Sequence, residues 1–340
     1  FSALCLSLSL FLVSFVEPTL DNLTLISAII VIGGMFFATG DIALDTYIIE
    51  TFDKDEQPFG GALNRFADSL VVLIAVSGLF WTLEIINWQT TLLIGSFILL
   101  LFGACVLLRP EPLLPLEAKT KLDLGEKASF MRALKQRHMI YVLPLSCIMC
   151  AVTYALIQAP SAFLVDIGFD LSQIGYALGV PQTISGLIGA CVAAVIVNWQ
   201  GLKKTAWILI WITLTGISGM LLLSTLPNPS LQTLTAIIFI WGFASPFFLV
   251  LLITALYRWT CLTQTATDYT IMASAAFVGI SLAPALYGLV AGALDWTSFY
   301  IIMGLMVFAV GYAFIRFYDR IEELVSLRNA AEKRAAINAS

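Results

Sequence analysis

The chain has 340 residues, of which 60% are hydrophobic and only 11% charged, and its net charge is −5. A soluble domain carries roughly 25% charged residues, so a water-facing surface cannot be covered here and most of the chain must face lipid or other helices. This excludes an ordinary soluble enzyme and a nucleic-acid binder. The sign of the net charge says little, because the charges sit between long apolar runs.

A bilayer core about 30 Å thick needs about 20 apolar residues in a helix. In chain order, ten runs answer to that length: 1–16, 24–48, 59–83, 89–108, 139–164, 172–197, 205–224, 231–257, 265–293 and 296–315. None alternates polar and apolar as a barrel strand would, and unbroken helices satisfy their own backbone groups in lipid. The expected fold class is an all-α polytopic membrane protein. The first run opens at Phe1, already apolar, with no basic leader and no cleavage site, so the true N-terminus is expected to precede it.

The basic residues set the orientation. Numbering each connection by the run it follows, the even connections and the C-terminal tail hold every Lys and Arg except Arg65. The odd connections hold none, but carry Glu17, Asp21, Glu84, Asp166, Asp170 and Asp295. Such asymmetry places the even side and the C-terminus in the cytoplasm. The longest connection is basic and proline-containing, and it separates four runs from six. The expected domains are an N-terminal bundle at 1–108, a cytoplasmic loop at 109–138, a six-helix bundle at 139–316 and a solvated cytoplasmic tail at 317–340. An internal echo agrees with two parallel halves: Asn87-Trp88-Gln89 opens the fourth run and Asp295-Trp296-Thr297 the tenth, six helices apart.

Charged side chains inside a span are costly and are by default functional. Asp41 and Asp45, four apart in the second run, share a helix face. Arg65 and Asp68, three apart, share a face of the third. Counted from the turn at 53–58, Asp45 matches Arg65 in depth and Asp41 matches Asp68. These four residues are expected to form a cluster that either couples protons, since crowded carboxylates raise one pKa, or staples two helices together. Asp268 opens the ninth run and reads either as a helix cap or, with Gln264, Thr267 and Tyr269, as a lining of a central substrate cavity. Tyr47 and Asn64 join those cavity candidates. Gly175 and Gly179, with Gly279, Pro284, Gly288 and Gly292, read as helix-packing and kink positions.

Other residues read blandly. His138, beside Arg137, has no nucleophile in sequence reach and reads as a surface residue. The six cysteines read as inert apolar thiols, Cys147-x-x-Cys150 lacking a second pair. There is no P-loop, so an ATP-driven pump is not expected. No catalytic residue, metal or cofactor is expected. The expected partners are a small-molecule substrate, protons and the lipid bilayer, with the chain acting as a monomer. A secondary transporter is favoured over a non-transporting sensor or scaffold and over a membrane-embedded transferase.

Ala38-Thr39-Gly40-Asp41-Ile42-Ala43-Leu44-Asp45-Thr46-Tyr47 resembles the A-T-Q-D-I-x-x-D-A-Y signature of AmpG-like permeases of the major facilitator superfamily, a group that includes siderophore importers of the RhtX/FptX type. Gly60–Arg65 and Asn87-Trp88-Gln89 resemble the same group, and Thr267-Asp268-Tyr269-Thr270 is similar to the siderophore importers. Asn198-Trp199-Gln200-Gly201-Leu202-Lys203-Lys204 resembles the superfamily's G-x-x-x-D-R-x-G-R-K loop without its acidic residue. Gly40 stands where the signature has glutamine. The resemblance implies a two-bundle fold with ten of twelve transmembrane helices present. It also implies proton-driven import, by alternating access across a bacterial inner membrane, of a bulky polar solute that is a siderophore or a muropeptide.

Overall fold

The computed structural model describes residues 1–53, 55–71, 86–107, 129–226, 229–261 and 264–339. The second part of the third run (72–83) and most of the central connection (109–128) lie outside them, so their expected roles are neither met nor missed. Among the described residues all regular structure is helical, and seven helices are long and apolar enough to cross a membrane. Where they are described, the ten expected runs lie on helix except at 1 and 15–16, either side of the first helix, and at 245–246, where the run 231–257 is broken. The chain divides into two compact units, Phe1–Thr51 with Leu70–Leu116 and Phe52–Ser69 with Glu117–Ser340.

The first unit holds α1 (Ser2–Ser14), α2 (Leu23–Thr51) and α4 (Trp88–Leu107). Hydrophobic burial cannot choose helix partners in lipid, so small residues and interhelical hydrogen bonds do. Ser7 Oγ donates to the Ser96 carbonyl at 2.8 Å and Ser96 Oγ returns a bond to the Ser7 carbonyl at 2.9 Å, which joins α1 to α4. A Cβ on Gly33 would lie 3.0 Å from Ser9 Cβ, so α2 meets α1 closely. At one end Trp88 Nε1 donates to the Val16 carbonyl at 3.1 Å, beside an apolar cluster of Val13, Ile26 and Leu92.

The second unit holds α3 (Gln57–Val71), the short α5 (Phe130–Leu134), α6 (Met139–Asp166), α7 (Leu171–Thr225), α8 (Leu231–Ala244), α9 (Phe247–Trp259), α10 (Thr265–Ala293) and α11 (Trp296–Ala339). At 55 residues α7 would run about 80 Å if straight, far beyond a bilayer. It is two helices joined at Gly201, whose φ of 74° and ψ of 162° form a conformation essentially closed to residues with a Cβ. The chain folds back there. Gly189 before the turn packs on Phe243, and Gly216 after it packs on Trp241 and Ala244. Pro246, which has no N–H to continue a ladder, divides α8 from α9. Among the described glycines the tightest approach joins α6 and α10, where a Cβ on Gly279 would stand 2.0 Å from the Cys147 carbonyl oxygen.

Two expectations are corrected. Gly175, Gly179, Gly288 and Gly292 have no described atom within 4 Å of where a Cβ would go, so of the five glycines read as helix-packing positions Gly279 alone packs closely among the described residues. The tail is also not a solvated appendage. At 44 residues α11 spans about 66 Å, and its stretch from Phe314 to Arg328 is docked on this unit. Phe314 and Ile321 are fully buried and Val325 is 4% exposed, on the face shared with Tyr318. Trp259 lies between Phe314 and Tyr318, with ring centroids 5.9 and 6.2 Å away, and its Nε1 donates to Glu322 at 3.0 Å.

Polar pairs join helices at both ends of this unit. Trp296 Nε1 donates to Asp166 at 2.8 Å and Ser224 bonds Thr297 at 3.1 Å, all at odd connections. At the opposite end Lys203 pairs with Asp319, so the basic turn after Gly201 finds in the tail the carboxylate that its own sequence lacks. Both side chains are half-exposed, and such a pair contributes little to stability.

Candidate functional site

Asp41 and Asp45 lie on α2 one turn apart, as the spacing predicts. Asp45 is 3% exposed and Asp41 half-buried, while Tyr47 is 44% exposed. Arg65 and Asp68 lie on α3 with Asn64; the side chains of Arg65 and Asp68 fall outside the described residues.

The even-side end of the second unit brings together residues far apart in sequence around Asp268. This carboxylate is fully buried in the first turn of α10, where an unpaired charge would cost several kcal/mol. Gln136 Nε2 donates to both of its oxygens at 3.1 and 3.0 Å. Gln264 Nε2 donates to Oδ1 at 2.6 Å and the Cys261 backbone N–H to Oδ2 at 3.3 Å. Each glutamine offers its oxygen to an arginine. Arg328 Nη1 donates to Gln136 Oε1 at 2.8 Å, and Arg132 Nε and Nη2 donate to Gln264 Oε1 at 3.2 and 3.1 Å. Arg328 also stands 3.5 Å from Asp268 Oδ2 and donates to the Trp259 carbonyl at 3.3 Å. Two amides thus relay one negative charge to two guanidiniums, and every donor and acceptor in the chain is used in its proper sense.

This network fastens four segments: the end of α5, the approach to α6, the α9–α10 connection and the α11 extension. Sequence reading found Asp268 and Gln264 but missed Gln136, Arg132 and Arg328. The N-cap of α10 is Gln264 and not Asp268, which sits in the first turn, where a carboxylate suits the helix dipole, and accepts from side chains and from the Cys261 N–H. Gln264 and Tyr269 are each 6% exposed and Thr267 is half-buried. The one signal for the tail's role is its spacing: Phe314, Tyr318, Ile321, Val325 and Arg328 recur every three or four residues, the stripe of a packed helix.

His138 also departs from expectation. It is 1% exposed, not a surface residue, and its Nε2 has no hydrogen-bond partner. Burial, with the Arg328 charge beside it, lowers its pKa from 6.5 to about 3. Between those pH values the unfolded chain takes up a proton that the folded chain refuses, so stability rises with pH across the window and is fully present above about 6.5. Unfolding of detergent-solubilised wild type and His138→Gln across pH 4–7 checks this. The difference in stability is expected to change by about 1.4 kcal/mol per pH unit and to level off at neutral pH; a pH-independent difference would contradict it.

A family profile described as Major Facilitator Superfamily matches residues 1–228. Among solved structures the chain is similar to the proton:xylose symporter XylE bound to 6-bromo-6-deoxy-D-glucose, at 16% identity over 93% of this chain and 79% of XylE, with a TM-score of 0.69. It is similar to the E. coli fucose:proton symporter FucP, at 16% identity over 93% of this chain and 82% of FucP, TM-score 0.70. A bacterial homologue of the iron transporter ferroportin, in an outward-facing state, aligns at 12% identity over 94% of this chain and 82% of that one, TM-score 0.60. Fold, hydrophobic spans and profile together define the class: an integral membrane transporter built of helices, not an enzyme. The chain belongs to the Major Facilitator Superfamily.

Proposed function

We propose that this chain is a proton-coupled secondary transporter that imports a bulky polar solute, a siderophore or a muropeptide-like compound, by alternating access across a bacterial inner membrane. The observation that carries the reading is Asp45, buried at 3% exposure in a predominantly apolar helix with Asp41 one turn away. A carboxylate in that setting is retained at several kcal/mol of cost and earns its place by binding a proton or a cation. Two of the similar structures are described as proton symporters, which favours the proton. By their charge within a span, Arg65 and Asp68 are assigned to the same coupling role.

In this reading the even-side end, with its lysines and arginines and the C-terminal helix, faces the cytoplasm. Tyr47, Asn64, Gln264, Thr267, Asp268 and Tyr269 are the substrate contacts. Gln264 and Asp268 meet substrate only once the network around Asp268 opens. The sequence Thr267-Asp268-Tyr269-Thr270 favours an iron chelate within the solute class. The test is uptake by proteoliposomes of purified full-length protein, offered a ferric siderophore, an anhydromuropeptide and a hexose in turn. Saturable, protonophore-sensitive accumulation of one of the first two is expected. Accumulation of the hexose alone would overturn the substrate class, and accumulation of none without proton dependence would overturn the reading.

A further inference from the structure

At the even-side end of the second unit a cavity of about 540 Å³ opens beside the start of α6. Its lining is divided. Lys135, Arg137 and Arg320 supply cations, and among the described residues no carboxylate lines it; Ile140 and Leu143 supply an apolar wall, and Leu324 lies a turn beyond Arg320. Arg320 is partly neutralised by Glu323 at 2.6 Å, but both side chains are more than half exposed, so that pair is easily exchanged. Lys135 and Arg137 lie within a turn of Met139, where the span of α6 begins. Ile140, 73% exposed, is already inside that span. The cavity therefore straddles the level at which a bilayer changes from headgroup to hydrocarbon.

The neighbouring helix fixes the same level independently. α5 turns Phe130, Met131 and Leu134 outward, at 62, 56 and 41% exposure, while Arg132 reaches back to Gln264. Three large apolar side chains on one short helix are costly in water and favourable in a lipid interface. Three cations beside the apolar Ile140 and Leu143 at the start of a span, with an interfacial helix alongside, match an amphiphile with an anionic head, the arrangement expected of basic pockets on the cytoplasmic side of membrane helices.

We propose that this cavity binds the phosphate of an acidic phospholipid between Lys135, Arg137 and Arg320, with an acyl chain lying along Ile140 and Leu143. Gln136 lines the same cavity and donates to Asp268, so the bound headgroup sits one residue from the network that fastens the tail. The site makes no use of the carboxylates of α2, and its test does not involve transport.

Native mass spectrometry of the full chain in detergent, titrated with phosphatidylglycerol or with phosphatidylcholine of the same acyl chains, measures the site. One tightly held phosphatidylglycerol is expected, with phosphatidylcholine much weaker. Each neutralised cation should weaken binding about fivefold, so K135Q/R137Q/R320Q should lose on the order of 100-fold, whereas the charge-keeping K135R/R137K/R320K should bind as the parent does. Should the neutral triple variant fail to fold, Lys135→Gln and Arg137→Gln singly carry the fivefold test. Unchanged phosphatidylglycerol binding in the neutral variants, or equal binding of phosphatidylcholine by the parent, would overturn the proposal. Displacement of the lipid by inorganic phosphate at equal concentration would also overturn it, by marking a site for soluble anions.

Discussion

Replacing Arg328 with alanine is expected to destabilise the second unit by roughly 3 kcal/mol, the usual consequence of stripping one partner from a buried ion pair. Arg328 is 12% exposed and faces a carboxylate with no exposure at all. Its loss also removes the donor to Gln136 Oε1 and to the Trp259 carbonyl, and it frees the end of a helix whose apolar stripe packs on Trp259. The measurement is the apparent unfolding midpoint in detergent, paired with protease cleavage at residues beyond Phe317, which should accelerate as the tail lifts. Asp268→Leu combined with Arg328→Leu should recover part of the loss, because no charge is then left buried alone. A midpoint unchanged in Arg328→Ala would mean that the apolar stripe docks the tail without the ion pair.

Gly279→Ala is expected to be as damaging, by a different route. The added Cβ would meet the Cys147 carbonyl oxygen at 2.0 Å, its carbon at 2.9 Å and the Ala151 nitrogen at 3.0 Å. All three are backbone atoms of α6, so no rotamer change relieves the overlap and the two helices must part. Overpacking of this kind costs about 1–3 kcal/mol, and more where backbone must move; the upper end is expected, since close approach is what holds helices together in lipid. Gly288→Ala is the control. Its Cβ meets nothing within 4 Å, and alanine's better helix propensity should leave stability unchanged or raise it by up to about 1 kcal/mol. Equal behaviour of the two variants in folding yield and unfolding midpoint would show that the crossing at Gly279 is not tight.

The contrast between these glycines shows where a sequence stops being legible. The spacing of Gly288 and Gly292 invites a helix-packing reading, yet spacing only places residues on one face; whether another backbone lies against that face is a property of the fold. The helices themselves were legible because lipid allows the backbone few alternatives, and ten apolar runs with basic residues at alternate ends leave little freedom. The turn within α7 was legible from Gly201 and the Lys203-Lys204 pair after it. Asp45 was legible because a carboxylate is conspicuous in an apolar run.

The network around Asp268 was only half legible. Asp268 announces itself by charge, but Gln136 is 132 residues away, and Arg328 lies in a segment whose many charges suggest water on every side. Only the stripe from Phe314 to Arg328 marks that segment as packed, and a stripe does not name its partner. His138 was misread for a related reason: the charged residues before it suggest solvent, whereas it is buried with Arg328 of the tail close by. The acidic residue that the Lys203 turn lacks in sequence is supplied from Asp319, on a helix more than a hundred residues later.

The most direct test of the transport account is substrate accumulation by proteoliposomes under an imposed pH gradient, acid outside, compared with substrate exchange at equal pH, for wild type, Asp45→Asn and Asp68→Asn. Coupling through this carboxylate group predicts that wild type accumulates substrate, that both variants lose gradient-driven accumulation by at least tenfold, about 1.4 kcal/mol of driving force, and that exchange persists in both. Accumulation by the variants equal to that of wild type would contradict it.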